Sequence, residues 1–274
     1  MGAVTTPATT SAFGDGTALL DVAGGVATLT LSRPEGLNAL TLDLKRGLLE
    51  AVAAVRESGA RALVLTGAGR AFCVGQDLRE HAALLEAGDP APLSTVAEHY
   101  NPLVTALAEL EVPTVAALNG TAAGAGLGLA CVLDFRIAAA GARFTTAFTG
   151  IGLSADSGLS WSLPRLVGEG RARALLLLAE PFTAEQALEM GMVNAVVAPE
   201  QVLPAAQELA GRLAQGPTTA YACVKAALRT SASSSLADAL AEEDRQQTRA
   251  GGTQDHRDAV RSFVAKEKPV FSGR

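Results

Sequence analysis

The stretch Asn119–Ala130, "NGTAAGAGLGLA", sets Gly124, Gly126 and Gly128 in a short run between the strand-like segments "TVAAL" (114–118) and "DFRIAAA" (134–140). A dinucleotide-binding turn reads GxGxxG and carries an acid about 20 residues further on. Here the spacing is GxGxG, and the acid that follows, Asp134, opens the next strand. A second reading is that small residues let a helix close on a strand. A third arises because the preceding unit has a similar turn, "AFCVGQDL" (71–78). Two strand-to-helix turns can aim two backbone N–H groups at one point, preorganised for a developing negative charge. Glycine and alanine leave room for a carbonyl to approach them.

The bulk properties restrict the alternatives. The chain has 274 residues, 49% of them hydrophobic and 18% charged, with aromatics at only 4%, as expected of a core-rich protein whose interior is filled by Ala, Leu, Val and Gly. A net charge of -6 gives no nucleic-acid footprint, which requires clustered Lys and Arg. Cys73, Cys131 and Cys223 are odd in number and widely spaced, forming neither a disulfide framework nor a zinc pattern. The opening "MGAVTTPATTSAFGDG" lacks the basic and apolar regions of a signal peptide, and residues 1–16 read as a disordered lead-in. No uninterrupted 18-residue apolar window occurs. A cytoplasmic protein that spans no membrane is expected.

Working outward from the glycine run, "TALLDVAGGVATLTLSR" (17–33) predicts two strands around Gly24-Gly25. "TLDLKRGLLEAVAAVRES" (41–58) predicts a helix capped by Thr41, with Leu44, Leu48, Val52 and Val55 on one face. "RALVLTG" (61–67) is a buried strand, and residues 93–110 read as one helix. Strands alternating with helices predict an α/β fold with parallel pairing. Beyond Gly168 the pattern turns helical, with "VNAVV" (193–197) as the one strand, and no fixed-period repeat is visible.

"GRAFCVGQDLRE" (69–80) and "NGTAAGAGLGLA", together with "RPEGLNAL" (33–40) and "GMVN" (191–194), resemble the crotonase, or enoyl-CoA hydratase/isomerase, superfamily across 18–273. The resemblance implies a spiral of repeated ββα units over 17–204 and a helical trimerisation region over 205–274. It also implies acyl-CoA thioester substrates, an enolate intermediate, and assembly as a homotrimer or dimer of trimers. The oxyanion-hole donors would be the N–H groups of Gln76 and Ala125, with Gly75, Gly124 and Gly126 bordering the ligand. On the CoA side stand Arg33, the backbone of Ala39, Arg79 and Lys266, with Lys268 nearby. CoA enters as part of the substrate; no metal and no other cofactor is implied.

The family shares this hole but not one reaction, so the acids decide. Hydratases use two glutamates; Gly128 and Phe148 stand at those positions here. The acid that remains is Asp156 in "GLSADSGLSW" (152–161), the position of the aspartate in family isomerases. Asp ahead of a helix is also a common N-cap. A catalytic Asp156 would lie among Ile151, Leu153, Leu159 and Trp161, apolar walls that raise a carboxylate's pKa. Phe148 and Trp161 would suit a flat ring. One group lifting a proton from one carbon and returning it to another suffices for a double-bond shift.

"YNPLV" (100–104) and "FSGR" (271–274) look most like the epoxyphenylacetyl-CoA isomerases, which also rearrange a ring epoxide, although Ser154-Ala155 departs from their pattern. "TGIGLSAD" (149–156) resembles the 4-chlorobenzoyl-CoA dehalogenases, with Phe148 at their Trp position and His99 two residues out of register. A hydratase-like lyase and a catalytically silent acyl-CoA binder are the remaining readings. "ADSG" (155–158) resembles a serine-protease motif, but no His and second Asp follow in a recognisable order. Glu80 and His81 read as surface residues, His256 carries no motif, and Cys73 reads as a core thiol beside the hole.

Overall fold

The computed structural model describes residues 9–274. The chain begins β1 (Thr9–Phe13), β2 (Ala18–Ala23), β3 (Val26–Leu31), α1 (Leu42–Glu57), β4 (Ala62–Gly67), β5 (Ala71–Cys73) and α2 (Leu78–Glu86). It continues α3 (Asn101–Ala108), β6 (Thr114–Leu118), β7 (Thr121–Ala123), α4 (Ala125–Cys131), β8 (Phe135–Ala139), β9 (Arg143–Thr145), α5 (Leu159–Val167) and α6 (Glu169–Leu178). The last third holds β10 (Phe182–Thr183), α7 (Ala184–Glu189), β11 (Ala195–Val197), α8 (Val202–Ala214), α9 (Thr218–Ser231), α10 (Leu236–Gly251) and α11 (Gln254–Ala265).

Two sheets carry the fold. The larger runs β1-β2-β3-β4-β6-β8-β11, and the smaller runs β10-β9-β7-β5. From β3 to β11 the large sheet is parallel, as is β5-β7-β9 in the small one. Each of β4–β5, β6–β7 and β8–β9 sends its first strand to the large sheet and its second to the small one. This is the spiral of ββα turns expected from the resemblance. The turns differ in length because α2 and α3 intervene after β5, while only α4 follows β7. Unequal turns leave no fixed period in the sequence.

Local chemistry explains the elements. Gly24 and Gly25 have φ of 57° and 79°, the left-handed values that a two-residue hairpin turn requires. The Thr41 hydroxyl accepts a bond from the Leu44 N–H and caps α1. Leu44, Leu48, Val52 and Val55 are all buried along that helix. Every residue of β4 is buried, as its uninterrupted apolar run predicts for a parallel strand covered on both faces.

Three expectations need correction. Within the lead-in expected to be disordered, Thr9–Phe13 is a strand, paired antiparallel with β2; residues 1–8 lie outside the described residues. The stretch shows no apolar–polar alternation, and backbone pairing at the sheet edge recruits it. The helix expected over 93–110 is a π-helical turn at Val96–Tyr100 followed by α3, with Pro102 at its start. Proline has no N–H to give the preceding turn, so the ladder widens there. The boundary at 204/205 cuts α8, whose Val202, Ala206, Ala210 and Ala214 pack against β4, β6 and β8. That helix belongs to the core, and the C-terminal helical region begins with α9.

In that region α9 packs on α10. The buried carboxylate of Asp255 accepts bonds from the N–H groups of Ser272 and Gly273 at 2.7 and 2.8 Å, folding the tail back onto α11. No helix among the described residues is long and apolar enough to cross a membrane.

Candidate active site

Because β5 and β7 are parallel neighbours, the turns that leave them emerge side by side. Gly75 has φ +87°, and a Cβ there would lie 2.9 Å from the Ala123 carbonyl oxygen and 3.4 Å from the Ala125 nitrogen. The two turns are therefore in contact at glycine. Gly124 has φ +51° and ψ -126°, a backbone that side chains resist. Neither the Gln76 nor the Ala125 N–H donates a hydrogen bond among the described residues. Ala125 opens α4, whose first N–H groups have no partner within the helix.

The other two glycines of the run do different work. A Cβ at Gly126 would meet the Cys73 carbonyl oxygen at 2.3 Å, so this residue packs α4 onto the end of β5 rather than bordering a ligand as expected. A Cβ at Gly128 would meet the Ser157 carbonyl oxygen at 2.7 Å. Gly128 thus receives the turn that carries Asp156, and the position at which hydratases place a glutamate is filled by that turn. Cys73 is fully buried, and burial pushes its thiol up to about 12.

Gln76, His81, Ala125, Phe148, Leu153 and Asp156 share a cavity of about 120 Å³, with Gly75 and Gly124 also on its wall. Asp156 is the one carboxylate in that lining. Its side chain does not cap α5: the N-cap is Gly158, and no side chain bonds the first turn. Instead its Oδ1 accepts a 2.8 Å bond from the Ser157 hydroxyl. Burial raises the Asp156 pKa above its ordinary value, opposed by that hydroxyl and by the positive charge of Lys45. A carboxyl group so placed can exchange a proton near neutrality more readily than an exposed one.

Behind the Gln76 turn lies a buried polar chain that sequence reasoning did not find. The fully buried Tyr100 donates its hydroxyl proton to Gln76 Oε1 at 3.1 Å. Lys45 Nζ sits 5.0 Å from the centre of the Tyr100 ring and donates to Thr95 Oγ1 at 2.5 Å. Burial lowers the Lys45 pKa, and Glu80 and Asp156 oppose the shift. Thr95 Oγ1 also lies 3.2 Å from His99 Nδ1. His99 is outside the cavity lining, whereas Phe148 is in it.

Arg33 joins its own segment to the Gln76 turn from outside the cavity, donating to the Ala39 carbonyl at 2.6 Å and lying 3.4 Å from Asp77 Oδ2. Asp77 caps α2 by accepting from the Arg79 and Glu80 N–H groups. Leu40 N–H donates to Gly75 O, and Asp77 N–H to Leu40 O, so the "RPEGLNAL" segment is laced to the Gln76 turn. Arg33 and Ala39 therefore stand beside the site, joined to one another.

Other expected residues are placed elsewhere. Trp161 faces away from the cavity: it is 45% exposed, with the Arg165 guanidinium 4.2 Å from its ring centre, in a separate groove with Lys225 and Arg229. Leu159, Ser162 and Leu163 form the buried face of α5, and Trp161 falls on the opposite side. Leu159 is fully buried in the core, outside the lining. Arg79 is exposed on α2, outside the lining, and Lys266 is exposed at the end of α11. His81, expected on the surface, lines the cavity, and its Nδ1 is sealed from solvent without a partner.

Two neighbouring strand-end turns whose Gln76 and Ala125 line a cavity with one carboxylate, on a two-sheet ββα spiral, define an enzyme-like site of the crotonase type. The enoyl-CoA hydratase/isomerase family model matches residues 21–274, and the chain belongs to that family. It is 43% identical to the 1,2-epoxyphenylacetyl-CoA isomerase of Escherichia coli, over 93% of this chain and 98% of that protein. It is also 43% identical, over 93% of this chain and 97% of the relative, to a Rhodobacter capsulatus protein assigned as an enoyl-CoA hydratase. Among solved structures, a Mycobacterium abscessus protein assigned as an enoyl-CoA hydratase/isomerase superposes with a TM-score of 0.89 at 47% identity, over 97% of this chain and 100% of that one.

Proposed function

We propose that the protein is an acyl-CoA isomerase that moves a double bond through an enolate held in a two-N–H oxyanion hole. The observation that carries this reading is the pairing of one cavity carboxylate, Asp156, with a Gly128 position closed by the Ser157 backbone. In the reaction the Asp156 carboxylate takes a proton from C2 of a 3-enoyl thioester. Negative charge spreads to the thioester oxygen, where the Gln76 and Ala125 N–H groups receive it. Such donors typically contribute about 10²–10³ in rate each. The protonated Asp156 then delivers the proton to C4, leaving the 2-enoyl product.

The shift is redox-neutral and returns its own proton, so it calls for no metal and no redox cofactor. Hydration needs a second group to hold water, and Gly128 and the apolar Phe148 supply none. The name of the Escherichia coli relative supports ring-epoxide rearrangement as a second reaction of the same enolate chemistry. Arg33 and Ala39 would flank the CoA moiety. Assembly into trimers is supported by the exposed Leu228, Leu236, Leu240, Phe263 and Val264 on α9–α11. Three free cysteines accord with a cytoplasmic location.

The test is product analysis with 2- and 3-hexenoyl-CoA. Interconversion of the two supports the isomerase. Dominant formation of 3-hydroxyhexanoyl-CoA overturns it in favour of the hydratase name that an equally similar relative bears.

A further inference from the structure

A second cavity, of about 390 Å³, lies between α5 and α9 and shares no lining residue with the Asp156 cavity. Its charges do not balance. Arg165, Lys225 and Arg229 line it against a single carboxylate, Asp134. That carboxylate is already engaged: its Oδ2 accepts from Lys225 Nζ at 2.6 Å and from the Thr114 N–H and hydroxyl at 2.8 and 3.0 Å. Neither guanidinium has a carboxylate within ion-pair reach among the described residues. Of the five N–H groups that each carries, Arg165 uses two on the carbonyls of Trp161 and Ala232, and Arg229 one on that of Ala108. Carbonyls satisfy N–H groups but leave the charge without an anion. Arg229 is half-buried, where an unpaired charge is less well solvated than at an open surface.

We propose that this cavity is a binding site for a small organic acid, one carboxylate on a compact apolar body. A planar guanidinium pairs with a carboxylate through two parallel bonds, and two guanidiniums stand here for one anion. Val132, Leu133, Leu166 and the Trp161 ring supply apolar walls, which favour a hydrocarbon body over a bare inorganic ion. The site is separate from the reaction assigned to Asp156 and does not depend on that assignment.

Trp161 is the chain's single tryptophan and lines this cavity, so its fluorescence reports occupancy directly. The full chain is titrated with 3-phenylpropanoate and hexanoate, with the neutral amides of both, and with acetate. At least one of the two acids is expected to shift the emission saturably with a Kd of about 1 mM or below. Its amide and acetate bind at least about tenfold more weakly. Arg165→Gln and Arg229→Gln keep a donor for the carbonyls and remove one charge each, and each weakens the acid about tenfold. Arg165 is exposed, so its variant reads the charge even where Arg229→Gln fails to fold. Asp156→Asn leaves the affinity unchanged. No saturable binding of either acid overturns the proposal, as a groove filled by a neighbouring copy would show. Equal binding of acid and amide overturns it, as does an affinity that Arg165→Gln does not move. Tighter binding to Asp156→Asn puts the anion beside that carboxylate, in the other cavity, and overturns it too.

Discussion

The Tyr100 hydroxyl donates to the Gln76 side chain at 3.1 Å, tying a fully buried ring to a residue that lines the cavity. The bond reaches from the residue before α3 to the loop between β5 and α2, two segments brought together only by the spiral. Through it the position of one proposed oxyanion donor, Gln76, is tied to core packing behind the site.

Tyr100→Phe keeps the ring and removes that bond. The net loss of one hydrogen bond is about 1 kcal/mol of stability, read from denaturant midpoints. The Gln76 turn loses its side-chain tether, so kcat for double-bond migration falls about tenfold while KM changes little. An unaltered kcat shows that the backbone holds the turn without Tyr100.

Asp156→Asn stabilises the protein at neutral pH. Burial raises the native carboxyl pKa above 3.8, so the native state holds this proton more tightly than the unfolded chain does. Its contribution is complete below about pH 4 and is lost as pH climbs through the raised native value. Asparagine removes that loss. Urea midpoints for wild type and variant should separate between pH 4.5 and 7.5, the variant gaining on the alkaline side. A margin that widens toward acid contradicts the raised value.

Lys45 is a cation at 4% exposure, paired with a hydroxyl and a ring rather than a carboxylate. Replacing it by methionine removes a desolvated charge, and such exchanges are often neutral or stabilising. Its field lowers the Asp156 pKa, so Lys45→Met moves the acid limb of kcat/KM for isomerisation to higher pH. A limb that stays in place would show that Lys45 does not act on Asp156.

Restoring a glutamate at Gly128 does not create a hydratase. The added Cβ alone would sit 2.7 Å from the Ser157 carbonyl oxygen, and overpacking of this kind costs about 1–3 kcal/mol. Gly128→Glu displaces the Asp156 turn, so migration is lost and no hydration appears, as product analysis with 2-hexenoyl-CoA would record. A folded variant that hydrates this substrate contradicts the packing argument.

The sequence revealed what backbone chemistry and hydrophobic period encode. The Gly24-Gly25 hairpin, the Thr41 cap, the apolar β4 run and the paired glycine turns are all local signals. Asp156 was legible by its place in a motif, but whether it caps α5 was settled only by the Gly158 N-cap and the Ser157 bond. The outward turn of Trp161 emerged only from the one-sided burial of α5 in the structure. His81, Tyr100 and Lys45 were not readable, because their significance lies in what the spiral stacks against them. Gly126 and Gly128 likewise differ from Gly75 and Gly124 only through the strand and turn they touch.

The most direct test of the account follows 3-hexenoyl-CoA in heavy water by NMR, with wild type and Asp156→Asn side by side. The account predicts 2-hexenoyl-CoA from the wild type, carrying deuterium or transferred protium at C4, and a rate at least about 10²-fold lower for the variant. Migration at an undiminished rate in Asp156→Asn would place the base elsewhere and contradict the central claim that this one carboxylate moves the proton.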